Sequence, residues 1–378
     1  MRTDFVSAAT ELLDDAVERL RRYAGHETPS GDADALDALA ELLAERHREL
    51  GAEVERVAQP TGDHLVARWG PGDGGRGDEP HVLLVGHHDT VWAKGTLASM
   101  PITLGDGVLR GPGVFDMKGG LVVVETAMEV LRRCGTPLAR PVRLVVAADE
   151  EVGSPTARAV VEAEMAGAVA VLGLESPHPD GRFKSARFGS TRLRIAVTGR
   201  ESHAALDPAA GISAIDELVD QLVAVRDIAR GPGVLCNVGT ISGGGRTNVV
   251  PAAAEAAIGL RFVDSAAERP VLAQLTSLRP VRDGAVVDVE VVSSRPVWDT
   301  ESAELLARVA EAAAAVGQEV GAAPAAGGGD TNTPGAAGIP TLDGLGPRGA
   351  GAHAAHEQIV VASLAERAAL LAGILAQP

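Results

Sequence analysis

The feature that most constrains this chain is a set of short, continuous apolar runs separated by segments with helical periodicity. The runs occupy residues 81–85, 142–148 and 169–174. They are too short for long helices, and they are apolar at successive positions, which is typical of strands covered on both faces. Between them, leucines recur at helical spacing at Leu36, Leu39 and Leu43. This alternation predicts an α/β domain with a mixed, mostly parallel sheet flanked by helices.

The pattern changes at about residue 187. Apolar and polar residues alternate near 193–197, 258–262 and 287–291, as in half-exposed strands. A long helix lies between the first two, and we expect one of its faces to carry Ile212, Ile215, Leu218, Leu222 and Val225. This order predicts an α+β insert with an antiparallel sheet. We therefore predict a discontinuous domain at 1–186 and 296–378, an inserted domain at 187–295, and a flexible surface loop at 70–77.

Composition excludes several classes of function. The chain has 378 residues, 46% of them apolar, and a formal net charge of −17, which repels nucleic acid and anionic membranes. No run of eighteen uncharged apolar residues occurs, and the N-terminal residues lack a signal-peptide core, so we predict a cytoplasmic protein. The two cysteines, Cys134 and Cys236, lack metal-type spacing and are expected to be buried thiols.

Candidate catalytic and metal-binding residues follow these runs. They occur in Gly86-His87-His88-Asp89-Thr90-Val91, Asp116-Met117-Lys118-Gly119-Gly120, Asp149-Glu150-Glu151, Glu175, and His353-Ala354-Ala355-His356-Glu357. Each has an ordinary explanation: a polar turn, a helix N-cap, a solvated acidic turn or a surface histidine. Together they are more informative, because open α/β sheets assemble their sites just beyond the strand ends. Histidines and carboxylates without thiolates suit zinc, cobalt or manganese.

These motifs resemble the aminoacylase/glutamate-carboxypeptidase family of dinuclear zinc hydrolases, in particular its carboxypeptidase G-like branch. The resemblance covers nearly the whole chain in order and includes the Ser202-His203-Ala204 motif of the insert. It implies a zinc-peptidase catalytic domain with an inserted, ferredoxin-like dimerisation or lid domain, and a homodimer. It also implies two Zn²⁺ per chain, with Co²⁺ or Mn²⁺ as alternatives.

The resemblance further implies a role for each residue of the metal site. Asp116 would bridge the two ions, with His87 and Glu175 on one and Glu151 and His353 on the other. Asp89 would orient the His87 ring, and Glu150 would be the general base. Family spacing selects His353 rather than His356 as the ligand, and we interpret His88 as a residue that lines the pocket.

The resemblance implies substrate contacts as well. His203 would polarise the scissile carbonyl and, in dimeric relatives, comes from the other subunit. Asn248, Arg261 and Arg295 match positions that contact substrate, and the arginines suit a substrate carboxylate. The glycine-rich loop at 327–332 would contribute Gly328 and Gly329, although it departs from the family's usual Ser-Asp order.

The leading hypothesis is a metal-dependent hydrolase that cleaves a small amide or peptide with a free carboxylate, most simply a glutamate-type carboxypeptidase. The alternative is an N-acyl-amino-acid deacylase, which shares every catalytic part. A more distant alternative is a catalytically silent dimeric binding protein on the same scaffold.

Overall fold

The structure is a computed structural model, and it describes residues 2–70 and 79–377 of the chain. The loop predicted at 70–77 lies outside the described residues from residue 71 onward. The α-helices are α1 Thr3–Glu11, α2 Leu13–Gly25, α3 Ala33–Glu49, α4 Gly119–Arg133, α5 Ala157–Glu164, α6 Ala214–Ile228, α7 Ser265–Leu275, α8 Ala303–Ala315, α9 Asn332–Ala336 and α10 Ala362–Leu375. The strands are β1 Glu53–Val57, β2 His64–Trp69, β3 His81–His87, β4 Thr103–Gly105, β5 Val108–Arg110, β6 Val142–Ala147, β7 Ala168–Gly173, β8 Phe183–Arg187, β9 Gly189–Thr198, β10 Val234–Gly243, β11 Ala253–Phe262, β12 Val286–Arg295, β13 Ala322–Ala325, β14 Thr341–Leu342, β15 Gly349–Ala350 and β16 Gln358–Val360.

The chain folds into two compact units. The first comprises residues 1–186, 300–325 and 329–378, and the second comprises 187–299 and 326–328. Each unit has its own apolar core.

The first unit is built on a six-stranded sheet in the order β1-β2-β6-β3-β7-β14. Strands β6, β3, β7 and β14 are mutually parallel, while β2 runs antiparallel to β1 and β6. Every residue of α4 from Gly119 to Leu131 is buried, as expected of a helix that is packed on all sides. The predicted mixed, mostly parallel α/β sheet is confirmed.

The second unit is a four-stranded antiparallel sheet in the order β10-β11-β9-β12, with α6 and α7 packed on one face. The predicted α+β insert is confirmed. One detail of its helix was wrong: α6 begins after Ile212, and Ile215 is 38% exposed on a face that it shares with Val219 and Val223. The other three predicted residues, Leu218, Leu222 and Val225, do lie on the buried face.

Two smaller expectations concern the cysteines and membrane spans. Cys134 and Cys236 are free but only partly buried, so the prediction of buried thiols was wrong. Within the described residues, no helix combines the length and apolar character that a membrane span requires.

Candidate metal centre

Three neighbouring strands of the first unit deliver their following residues to one edge of the sheet. His87 is the last residue of β3, Glu150 and Glu151 form a short turn just after β6, and Glu175 lies two residues beyond β7. Since these strands are parallel and adjacent, their carboxyl ends lie side by side. The sheet therefore brings together four candidate residues that are far apart in sequence.

Asp116 reaches the same place through the segment that leads into α4. That approach depends on Gly120, because a Cβ there would lie 2.1 Å from the backbone oxygen of Leu174. Only glycine permits so close a contact between the start of α4 and the segment preceding Glu175. The glycine pair of the motif therefore has a packing role beside the site.

The side chains form two groups that share Asp116. His87 Nε2 lies 3.3 Å from Asp116 Oδ1 and 3.3 Å from Glu175 Oε1. His353 Nε2 lies 3.1 Å from Asp116 Oδ2 and 3.1 Å from Glu151 Oε2. Each carboxylate oxygen of Asp116 thus faces a different histidine, which is the arrangement a bridging carboxylate needs.

These spacings fit a pair of divalent cations. Ligand atoms at ~2.0–2.1 Å from a zinc ion and at tetrahedral angles are ~3.3–3.4 Å apart, close to the separations found here. His87 Nε2 and Glu151 Oε1 are buried without a hydrogen-bond partner among the described residues. Buried polar atoms are seldom left unpaired, so both are suited to coordinate a metal.

The carboxylates of the site also favour positive charge on the groups next to them. Hydrogen bonds to Asp116 and Glu151 raise the pKa of His353 to about 10. Burial by itself lowers the pKa of His87, but the carboxylates of Asp116, Asp89 and Glu175 together raise it well above its usual value. The site therefore concentrates carboxylates so strongly that it stabilises any cation, which is the property of a metal-binding site.

Asp89 holds several of these residues in place. It is fully buried, and its Oδ1 lies 3.3 Å from His87 Nδ1. Its two oxygens accept the backbone N–H groups of Glu150 and Glu151 at 3.1 Å each, and Ser30 Oγ donates to it at 2.6 Å. His87 Nδ1 therefore faces oxygen atoms and would keep its proton when a metal replaces the proton on Nε2. The sequence interpretation did not anticipate Ser30.

Glu357 is a second residue whose role the sequence interpretation missed, since it served there only to place His353. Its carboxylate is fully buried and accepts hydrogen bonds from the backbone N–H groups of Gly113, Phe115 and Asp116 at 3.0, 2.9 and 3.0 Å. Trp92 Nε1 donates to it at 2.8 Å. Glu357 thereby fixes the backbone that carries the Asp116 side chain.

We expect Glu357→Gln to destabilise the protein by about 2–4 kcal/mol, because the new amide group would face N–H donors instead of accepting from them. Metal affinity should fall with it, since the Asp116 segment loses its support. Urea unfolding and metal titration measure the two effects. The exposed Glu311→Gln is the matched control and should change stability by less than about 0.5 kcal/mol; equal effects of the two variants would contradict the positioning role.

In the second unit, the loops that carry His203 and Asn248 are joined. The backbone N–H of Ala204 donates to the carbonyl of Asn248 at 3.0 Å. His203 Nδ1 accepts the backbone N–H groups of Ala205 and Leu206 at 3.2 and 3.1 Å. Because Nδ1 accepts, Nε2 of this exposed ring is the nitrogen that can donate a hydrogen bond to an oxygen atom.

Arg261 and Arg295 lie on the two strands that flank β9, and both pair with Ser190 in the sheet register. Burial, together with the guanidinium groups of Arg192 and Arg295, lowers the pKa of Arg261. The three arginines therefore form a cluster, of which sequence analysis identified only two. Gly328 lies against it, since a Cβ at Gly328 would lie 3.4 Å from Arg295 Cδ.

The structure also places Gly329, His88 and His356, and among these three it differs from the sequence interpretation at His88. The backbone N–H of Gly329 donates to Asn332 Oδ1 at 2.8 Å, so it is already engaged within the fold. His88 is fully buried, with Nε2 3.1 Å from the carbonyl of Asp63, and is therefore an internal residue and not one that lines an open pocket. His356 is exposed on the surface.

Comparison with known proteins gives the class to which this fold and site belong. The profile of peptidase family M20/M25/M40 matches residues 83–377. The chain belongs to this family, and it is a metal-dependent peptidase or amidohydrolase. The resemblance inferred from the motifs is confirmed.

Two curated proteins and one solved structure illustrate what the chain is similar to. The chain is 27% identical over 379 residues to carboxypeptidase G2 of Pseudomonas sp. (strain RS-16), covering 97% of this chain and 90% of the relative. It is 31% identical over 236 residues to acetylornithine deacetylase of Pasteurella multocida, covering 57% and 59%. Among solved structures, aminopeptidase PepT of Bacillus cereus superimposes with a TM-score of 0.70 at 20% identity, covering 96% of this chain and 98% of that one. This last likeness shows a shared fold.

Proposed function

We propose that the protein is a dizinc carboxypeptidase that removes a C-terminal glutamate-type residue from a small amide or peptide. His87, Asp116 and Glu175 would hold one ion, and Asp116, Glu151 and His353 the other. The full-length similarity to carboxypeptidase G2 supports this branch of the family.

The residues divide the reaction between them. Metal ions held by these residues would supply Lewis acidity that makes a water molecule easier to deprotonate. Glu150, which groups with His87 and Glu175 within 4.8 Å, takes the proton as the water oxygen attacks the scissile carbonyl carbon. It then delivers that proton to the nitrogen as the C–N bond breaks. His203 donates its Nε2 proton in a hydrogen bond to the carbonyl oxygen, where negative charge develops.

The observation that carries the substrate assignment is the cluster of Arg192, Arg261 and Arg295. A lone α-carboxylate needs only one guanidinium group, whereas a glutamate-type residue has two carboxylates. Burial and, after it, the neighbouring guanidinium groups of Arg192 and Arg295 lower the pKa of Arg261, and an anionic substrate beside the cluster would counter the repulsion among the three.

The second candidate is an N-acyl-amino-acid deacylase, which the identity to acetylornithine deacetylase favours. A crossed panel on zinc-loaded protein separates the two: benzoyl-glutamate, acetyl-glutamate, benzoyl-ornithine and acetyl-ornithine. We expect kcat/KM to be at least about tenfold higher for the two glutamate substrates than for the two ornithine substrates, with either acyl group. A higher kcat/KM for the two acetyl substrates than for the two benzoyl substrates, with either amino acid, would favour the deacylase.

The same panel tests the arginine cluster. Arg261→Gln should raise KM for the glutamate substrates by about tenfold or more and change the ornithine substrates much less. The exposed Arg226→Gln is the control. Zinc-loaded protein that hydrolyses none of the four substrates would return the silent binding protein to consideration.

We also propose a homodimer formed through the second unit. Along α6, Ile215, Val219 and Val223 point outward, and the last two are 54% and 51% exposed. On the edge strand β10, Leu235 and Ile241 are 70% and 63% exposed. A helix face and a strand edge with such side chains are typical of a surface that pairs with another chain.

His203→Ala should lower kcat by about 10²–10³-fold, as does loss of an oxyanion donor, while metal content stays unchanged. In a homodimer where this histidine serves the other subunit, mixing His203→Ala with Glu150→Gln chains should restore partial activity. Exposed His356→Ala should behave as wild type. Demonstrated subunit exchange without any recovery would contradict supply across the dimer.

A further inference from the structure

The first unit contains a cavity at the opposite end of its sheet from the metal centre. Its floor comes from the amino-terminal parts of three strands, at Val82, Val142 and Ala170. Helices α8 and α10 close it with Leu305 and Ile374. Its volume is about 280 Å³.

This cavity is separate from the catalytic residues. Val82 begins β3 and His87 ends it, so five residues at ~3.3 Å each place the two ends ~17 Å apart. The strands that lead from the cavity are the ones that deliver His87, Glu150 and Glu175. A ligand here would touch none of the proposed metal ligands.

The size and walls of the cavity suit a small organic molecule. An apolar cavity of ~150 Å³ holds benzene, so about 280 Å³ accommodates a ring with a side chain or a medium-length acyl chain. Ten of the fifteen lining residues are apolar, and the polar ones are Arg140, Ser302, Glu304, Arg308 and Gln377; small-molecule sites usually combine apolar walls with a small number of polar groups.

Arg140 supplies a charge among these apolar walls. Its Nε is buried and has no hydrogen-bond partner within residues 2–70 and 79–377. The guanidinium group of Arg140, like that of Arg308, which also lines the cavity, carries N–H donors suited to an anionic oxygen atom. Glu304 also lines the cavity, but it is exposed in the first turn of α8 and can remain solvated.

We propose that this cavity is a second binding site, specific for a small apolar carboxylate whose hydrocarbon part fills the cavity and whose carboxylate pairs with Arg140. The arrangement selects for both features of the ligand. An alcohol of the same length lacks the charge, and an amine carries the wrong one.

The test is calorimetric titration of zinc-loaded protein with octanoate, octanol and octylamine. We expect octanoate to bind at least about tenfold more tightly than the other two, the factor that a charge-assisted hydrogen bond provides. Arg140→Gln should remove that preference. Val169→Trp, at a partly exposed lining position, should block all three ligands, and the exposed Arg226→Gln should leave them unchanged.

A carboxylate can also bind a metal, so the titration is repeated on Asp116→Asn protein, which should lack the metal centre. Octanoate binding that persists there places it in the cavity. Binding that disappears with the metal would overturn the proposal, as would equal affinity for octanol or octylamine, or an Arg140→Gln variant that binds octanoate like wild type. Loss of the octanoate preference in Arg140→Gln, together with loss of binding of all three ligands in Val169→Trp, supports the site even if one variant is less stable.

Discussion

Glu150→Gln should abolish most turnover, by about 10²–10⁴-fold, while the protein keeps its full complement of metal. The substituted amide has nearly the shape of the carboxylate but cannot accept a proton from water. The backbone N–H of Glu150 donates to Asp89 Oδ1 at 3.1 Å, and this contact survives the substitution. Kinetics on a glutamate substrate, together with metal analysis of the same preparation, measure both quantities.

The neighbouring Glu151→Gln is the informative comparison. Glu151 Oε2 lies 3.1 Å from His353 Nε2 and is a proposed ligand, so its variant should lose metal as well as activity. Both variants should lose activity, so the metal content of the two preparations would distinguish the ligand Glu151 from the proton acceptor Glu150. A Glu150→Gln enzyme with near-wild-type kcat would remove Glu150 from proton transfer, and one without metal would make it a ligand.

Asp116→Asn should have the second large effect, a loss of metal affinity of more than about 100-fold together with activity. Asp116 is the residue that faces both histidines, at 3.3 Å from His87 and 3.1 Å from His353. An amide oxygen carries no net charge, so two cations would lose the anion that offsets their mutual repulsion. Competition with a chelator of known affinity measures the change.

Thermal unfolding gives an independent measure of the same variant. With chelator present, Asp116→Asn should be less stable than wild type near neutral pH. Burial alone raises the pKa of Asp116, but the hydrogen bonds with His353 and His87 lower it below its usual value, so the folded protein favours the charged carboxylate that the variant lacks. With zinc present, wild type should gain stability in proportion to ligand binding, and the variant should gain little. The exposed Asp34→Asn is the control. Equal zinc stabilisation of wild type and Asp116→Asn would contradict the bridging role.

The sequence does not show which way individual side chains point or which groups they contact. His88 and His87 are adjacent and identical in type, yet the alternation of a strand end sends one into the interior and the other into the site. Glu357 resembles any loop glutamate in sequence, and its role follows only from the three backbone N–H groups that converge on it. Ile215 fits the apolar period of its helix but lies on the exposed face, since it is on the same side of α6 as Val219 and Val223.

The sequence by itself determined the class of fold and the family, since apolar runs of strand length fix a covered parallel sheet, and the motifs that follow them are local and ordered. Only the tertiary structure decided which Asp116 oxygen faces which histidine, that Arg192 joins Arg261, and that the His203 ring accepts at Nδ1 and can donate from Nε2. These are contacts between segments far apart in the chain. They depend on side-chain direction and on backbone groups, neither of which the order of residue types specifies.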